Sequence, residues 1–342
     1  MKLYLGESFG LLMKTLPYVI FRAAVYGITG IGAVIYFAII FGIISVLPDS
    51  AGGVAAIIVL AATGGFFGVM KLLQQAVFYA LKAGHVAVIT ELITKGSLPA
   101  GVNQVSYGKS IVTERFKDVA ILFAADRMVL GILRAITRTI ARVSSWLPIP
   151  GIDAVEKIVM TVVNFSISFI DEAIMSYAFA KKERNLWKSA KEGVVLYAQQ
   201  WKPILTSSAV MGLIDAIGFI VPFVILVIPL GLLSKGLEIN ALGWGALVIS
   251  FIFALLFKNA VVSPWAMVAI ILTFHRETEG KTPDPVWEGR LETMSGKFKE
   301  LQSKALEFAR GESAAGASTA GPSSADISNQ PTTALELPKE DE

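Results

Sequence analysis

The chain has 342 residues, 54% hydrophobic and only 17% charged, with a net charge of +3. That composition is too apolar for an ordinary water-soluble chain of this length, and so modest a charge argues against a nucleic-acid partner. Cysteine is absent, which excludes disulfides and cysteine-ligated metal sites.

From Met1 to Lys14, Leu3, Leu5, Phe9, Leu12 and Met13 stand among Lys2, Glu7 and Lys14. This reads as an interfacial amphipathic helix within residues 1–23, without the layout of a removable signal peptide. Residues 24–47 are long and apolar enough to cross a bilayer, with Arg22 at the inner edge. Gly27, Gly30 and Gly32 predict close packing on a neighbour. Pro48-Asp49-Ser50 and Gly52-Gly53 predict a tight turn into a second span over 51–70. That span carries Gly64 and Gly68, a small-residue pair suited to a homo-oligomer. Past Lys71 the helix is expected to continue through Gln74-Gln75 toward Lys95, where Gly96 and Pro99-Ala100-Gly101 break it. A second amphipathic piece covers Gln104 to Lys117.

Residues 119–145 and 154–180 read as two arms joined at Leu147-Pro148-Ile149-Pro150-Gly151. Arg127, Arg134, Arg138 and Arg142 are spaced seven, four and four, which puts them on one helical face. Glu156, Asn164 and Asp171 share a face of the second arm. Folded antiparallel, the arms match Arg127 with Asp171, Arg134 with Asn164 and Arg142 with Glu156, while Arg138 has no carboxylate level with it. Charges inside spans usually face a bundle interior or a water-filled path, so the hairpin is a candidate polar route. The competing reading is a self-neutralised pair of arms, or a basic helix at the headgroup layer.

Lys181-Lys182-Glu183-Arg184 precedes an amphipathic helix from Trp187 to Lys202. A span over 203–233 follows, with Pro222 and Pro229 as kink positions and Asp215 as its one ionisable residue. Asp215 is either a proton or cation group or the cap of a buried contact. Residues 242–274 form the last span, interrupted by Lys258-Asn259 and Pro264, so it must tilt, kink or break. Beyond it, Leu291, Met294, Phe298, Leu301, Ala305 and Phe308 form a seam on a helix within 283–310. That seam fits a partner, the protein body or lipid. Residues 311–342, rich in Ser, Ala, Gly, Thr and Pro, are expected to be a disordered acidic tail.

Lysine and arginine crowd 71–117, 181–202 and 276–310, whereas the turns at 48–53, 146–153 and 234–241 hold only Lys235. The positive-inside rule then gives six crossings with both termini cytoplasmic, or four if the central arms do not cross. Gly108 and Phe116-Lys117-Asp118-Val119 echo Gly193 and Trp201-Lys202-Pro203-Ile204 at equal spacing, which suggests a repeated helix-plus-hairpin unit.

No phosphate-cradling, His-Glu-x-x-His or Gly-x-Ser-x-Gly motif occurs, and Asp171-Glu172 point about 100° apart on a helix. His85 and His275 are expected to be interfacial polar residues at span ends. An enzyme, a cofactor and a metal are therefore not expected.

Arg115-Phe116 before an arginine-dotted helix, Ser189-Ala190-Lys191 opening an amphipathic helix before a long span, and the terminal run His275-Arg276-Glu277-Thr278-Glu279-Gly280 carry a resemblance. In this order of features, residues 76–305 resemble the choline transporter-like family. The resemblance implies transport of a small organic cation. Asp171-Glu172-Ala173-Ile174 stands where that family has an Asn-Arg-Asn-Ala-Tyr-like stretch, so no site residue is carried over.

The expected fold is an all-α polytopic membrane protein, with about six transmembrane helices as three helical hairpins and cytoplasmic amphipathic helices. The expected function is a channel or secondary transporter for a small polar or anionic solute, with Arg134, Arg138, Asn164 and Asp215 as candidate solute-binding residues. Arg127 with Asp171, and Arg142 with Glu156, are expected structural pairs. The alternative is a membrane scaffold or lipid-organising protein. The partners expected are the bilayer, a second copy and a small solute.

Overall fold

The structure, a computed structural model, describes residues 3–114 without 49 and 51, then 121, 124–125, 127–135, 152–236, 247, 250–251 and 253–319. The described residues are helical, with no strand among them. Eleven helices are numbered here: α1 Leu5–Lys14, α2 Leu16–Ser45, α3 Gly52–Leu73, α4 Tyr79–Lys95, α5 Gln104–Glu114, α6 Ile152–Lys181, α7 Leu186–Gln199, α8 Trp201–Gly236, α9 Ser263–Thr278, α10 Pro285–Met294 and α11 Gly296–Thr319. Residues 127–135 are also helical.

Five stretches among the described residues are long and apolar enough to cross a membrane: Leu16–Ala33, Gly52–Lys95, Met160–Lys181, Trp201–Leu233 and Phe253–Thr278. On α2 the large residues Ile28, Ile31, Ile35, Ile39 and Ile43 recur every three or four positions and are all exposed. On α8 Leu213, Ile217, Ile220, Val224, Ile228 and Leu232 do the same. An apolar surface of that extent is stable only against hydrocarbon. Pro222 and Pro229 lie inside α8 without ending it. Of the sixth expected span, 119–145, too little is described to trace a crossing, and the joining residues 136–151 lie outside the described residues.

The opposite character holds in the body around α4, α6, α7 and α9. Ala83, Val86, Ile89, Ile132, Ile170, Val194, Ile270 and Phe274 belong to one buried cluster. Close crossings make it dense. A methyl group on Gly108 of α5 would sit 2.8 Å from the Gly84 carbonyl oxygen of α4, so only glycine fits there. Gly193 of α7 likewise presses on Ile174 of α6, and a Cβ there would lie 3.0 Å from that side chain. The two glycines of the expected repeat thus both mark tight helix contacts. Gly96 ends α4 with φ of 78°, a left-handed cap that L residues resist.

The seam on the C-terminal helices is filled from within. Leu291, Phe298 and Leu301 are fully buried against the body, with α10 and α11 packed on α7. Asn185 ties the parts together. Its side chain caps α7 by accepting from the Lys188 N–H at 3.0 Å, and its amide donates to the Ala305 carbonyl at 2.7 Å. Tyr197 of α7 is deep enough that burial pushes its hydroxyl above the ordinary tyrosine range. One expected helix over 286–310 is in fact two, because Ser295 takes an extended backbone between α10 and α11. The helix α11 also runs to Thr319, into the segment expected to be a disordered tail; residues 320–342 lie outside the described residues.

Candidate binding cleft

The helix α2 enters the body by its N-terminal half. Arg22, Tyr26, Thr29 and Ala33 follow one another by four, three and four residues, so they share a face. That face forms one wall of a cleft of about 850 Å³. Gly27 and Gly30 lie on the same wall, and a Cβ on either would meet nothing within 4 Å. These glycines were expected to pack on a neighbour; within the chain they leave room in the cleft instead.

Two breaks in helical phase build the other walls. Between α3 and α4 the residues Gln74–Phe78 form a π turn, with bonds from residue i to i+5. The extra residue rotates α4 relative to α3, so that Met70, Phe78, Tyr79 and Lys82 all reach the cleft. A second π turn, Lys258–Val262, precedes α9 and brings Asn259 to the same space. The sequence marked this second point correctly, through Lys258-Asn259 and Pro264. Such turns recur at functional sites because they re-aim side chains without breaking a helix.

The polar groups of the cleft are unequally satisfied. Lys82 Nζ lies 2.9 Å from Asp171 Oδ2 and 2.9 Å from Glu172 Oε1, on adjacent residues of α6. Both carboxylates are buried, so one lysine serves two acids. Arg127 and Asp171 both line the cleft. Arg22 is different. It is only 8% exposed, and among the described residues no carboxylate pairs with it. Its Nη1 donates to His85 Nδ1 at 2.9 Å, so the imidazole carries its own proton on Nε2. Tyr18 stacks on that imidazole with ring centroids 4.9 Å apart, and its hydroxyl donates to the Leu81 carbonyl at 3.1 Å. The Arg22 Nε has no hydrogen-bond partner, although it is buried. An unpaired buried cation with an unused donor is costly unless a ligand completes it.

The expected site residues divide. Arg127 and Asp171 are among the residues that line the cleft. Arg134 and Asn164 are exposed and do not line it. Arg138 and Arg142 lie outside the described residues, and Glu156 lies on α6 with its side chain outside them. Asp215 is buried at another place, with Lys258 Nζ at 2.9 Å, which matches the buried-contact reading rather than a free carboxylate. The helices cross tightly beside that pair, since a Cβ on Gly218 would lie 2.5 Å from Val262.

The histidines differ: His85 departs from the expected interfacial position, whereas His275 is half-buried near a span end. His85 is fully buried beneath Tyr18, and His275 takes part in a hydrogen-bonded chain. Thr90 Oγ1 and Ser176 Oγ are 2.7 Å apart, and Ser176 Oγ is 2.7 Å from His275 Nε2. Sequence reading passed over Lys82 and gave His85 an interfacial place. Their three-residue spacing on the continuation of the second span was the available signal.

Compared with known proteins, the chain matches no family model, no curated protein and no solved structure.

Proposed function

We propose that the protein is an integral membrane channel or secondary transporter for a small anionic or polar solute, held at the cleft between α2, α4 and α6. Both termini lie on the cytoplasmic side, as the basic residues at 71–117, 181–202 and 276–310 require. The observation that carries the reading is Arg22, a buried guanidinium without a carboxylate partner among the described residues, on the wall of an 850 Å³ space. Its planar fork suits a carboxylate, sulfonate or phosphate group, and Arg127 adds a second positive charge. The resemblance to the choline transporter-like family favours a cation. The cleft favours an anion, because each buried acid has Lys82 Nζ at 2.9 Å, while no carboxylate among the described residues pairs with Arg22. The scaffold reading loses the face it relied on, since the C-terminal seam is occupied by the body.

Uptake by phosphatidylcholine vesicles containing the purified full chain tests this. Radiolabelled methanesulfonate should enter faster than into empty vesicles. Arg22→Gln should lower the rate at least about tenfold, the loss of one charge-assisted bond, while the folded yield is kept. Uptake equal to that of empty vesicles for methanesulfonate, chloride and phosphate alike would sink the proposal.

A further inference from the structure

The cleft does not end at Arg22. A second space of about 480 Å³ lies between α2 and α3, and it shares Thr29, Ala33 and Met70 with the first. The two therefore adjoin. Their chemistry differs. The lower space holds Arg22, Lys82, Arg127 and Asp171, whereas among the described residues no charged one lines the upper space. Its walls are Tyr36, Gly65, Phe66, Val69 and Leu73. The Tyr36 hydroxyl donates to the Ala62 carbonyl at 2.9 Å, so even that polar group is satisfied and turned away from need of a ligand. Glycines keep the groove open. A Cβ on Gly32 would meet nothing within 4 Å, and one on Gly65 would meet only the Tyr36 hydroxyl, at 4.0 Å.

Arg22 and Tyr36 are fourteen residues apart on one helix, so the combined space is about 21 Å long. One end is a buried, unanswered cation and the other is a wholly apolar slot. A small inorganic anion would satisfy only the first. We infer that the ligand is an anionic amphiphile, with its charged head on Arg22 and an alkyl chain along the α2–α3 groove. This rests on the anion reading of the cleft and adds the chain. The shared chemistry is an acidic head on a hydrocarbon tail, whether it comes from a bilayer lipid or from a free alkyl acid. The Arg22 guanidinium, which lines the cleft with no carboxylate partner among the described residues, supplies the specific contact. The groove supplies chain-length preference, because each buried methylene adds favourable transfer free energy.

The test is thermal unfolding of the purified full chain in a neutral detergent, with methanesulfonate, octanesulfonate or octanol added. Sulfonates stay ionised, so pH does not confound the series. Octanesulfonate should bind about tenfold or more tighter than methanesulfonate, with octanol weaker than octanesulfonate. Gly65→Trp fills the groove from an open position, so folding should be kept. It should remove the advantage of the longer chain and leave the methanesulfonate shift. Arg22→Gln should abolish both sulfonate shifts, and Arg22→Lys should restore part of them. Equal binding of the two sulfonates, unaffected by Gly65→Trp, would overturn the inference yet leave the anion site standing. No shift with either sulfonate would remove both readings. A change of oligomeric state in Gly65→Trp would assign the groove to a second copy and also overturn the inference. Mass spectrometry of the chain released from phosphatidylcholine nanodiscs containing phosphatidylglycerol distinguishes the sources. Retained phosphatidylglycerol supports a bilayer lipid, and octanesulfonate binding without it supports a free alkyl acid.

Discussion

The two halves of α2 occupy opposite environments on one unbroken helix. From Leu16 to about Tyr26 it is a structural member of the body, with Tyr18, Val19 and Arg22 buried. From Ile28 onward Ile28, Ile31, Ile35, Ile39 and Ile43 are exposed, and α3 packs on this half through Tyr36. The helix α8 repeats the contrast, with Ile204, Ser208, Met211 and Asp215 buried and Ile217 to Leu233 exposed on their outer face. The body is held by packing, by paired charge and by satisfied hydrogen bonds. The projecting halves are held by backbone bonds and by the solvent they are built for, which is lipid. The proposed site lies where the regimes meet, and in that proposal a ligand arriving along the apolar half answers the buried Arg22 charge.

Substitutions should separate the two regimes by size of effect. Phe298→Ala, in the fully buried seam of α11, should cost about 3–5 kcal/mol in thermal or chemical unfolding. If it is neutral, the C-terminal helices are not part of the body. Lys82→Ala strips the cation from two buried carboxylates and should cost about 3 kcal/mol, and Lys82→Met should not recover it. A mild effect there would mean that the acids are reached by water. Gly108→Val forces α5 away from α4 and should cost about 2 kcal/mol, visible as a lower unfolding midpoint. At the bottom of the scale, Ile35→Ala on the exposed half of α2 should change stability by less than about 0.5 kcal/mol. A large loss at Ile35 would show that the projecting face is covered, and would redraw the comparison itself.

Much of the architecture was legible in the residues. Long apolar runs such as 52–70 and 203–233 lack any alternative to a bilayer, so their helices and their exposure follow from hydropathy alone. Gly96 predicted the end of α4, and Lys258, Asn259 and Pro264 predicted the disturbance that becomes a π turn. Spacing put Arg127 level with Asp171 and Arg134 level with Asn164; the first two line the cleft and the second two are exposed, because a shared face does not say whether that face is turned inward. It also missed the bend in the C-terminal helix, since Ser295 is ordinary in sequence and extended only because α10 and α11 must both reach α7.

The sequence by itself determined that this is a helical chain with segments apolar enough for a membrane, where some of its helices end, as α4 does at Gly96, and which segments are too polar to face lipid. Those are one-dimensional properties, set by period, run length and breaker residues. Only the tertiary structure decided which charges are answered. Lys82 meets two acids ninety residues away and Asp215 meets Lys258, while Arg22 is left with His85 and an unused donor. Electrostatic pairing depends on distance and burial in three dimensions, and two π turns that rotate their helices set those distances.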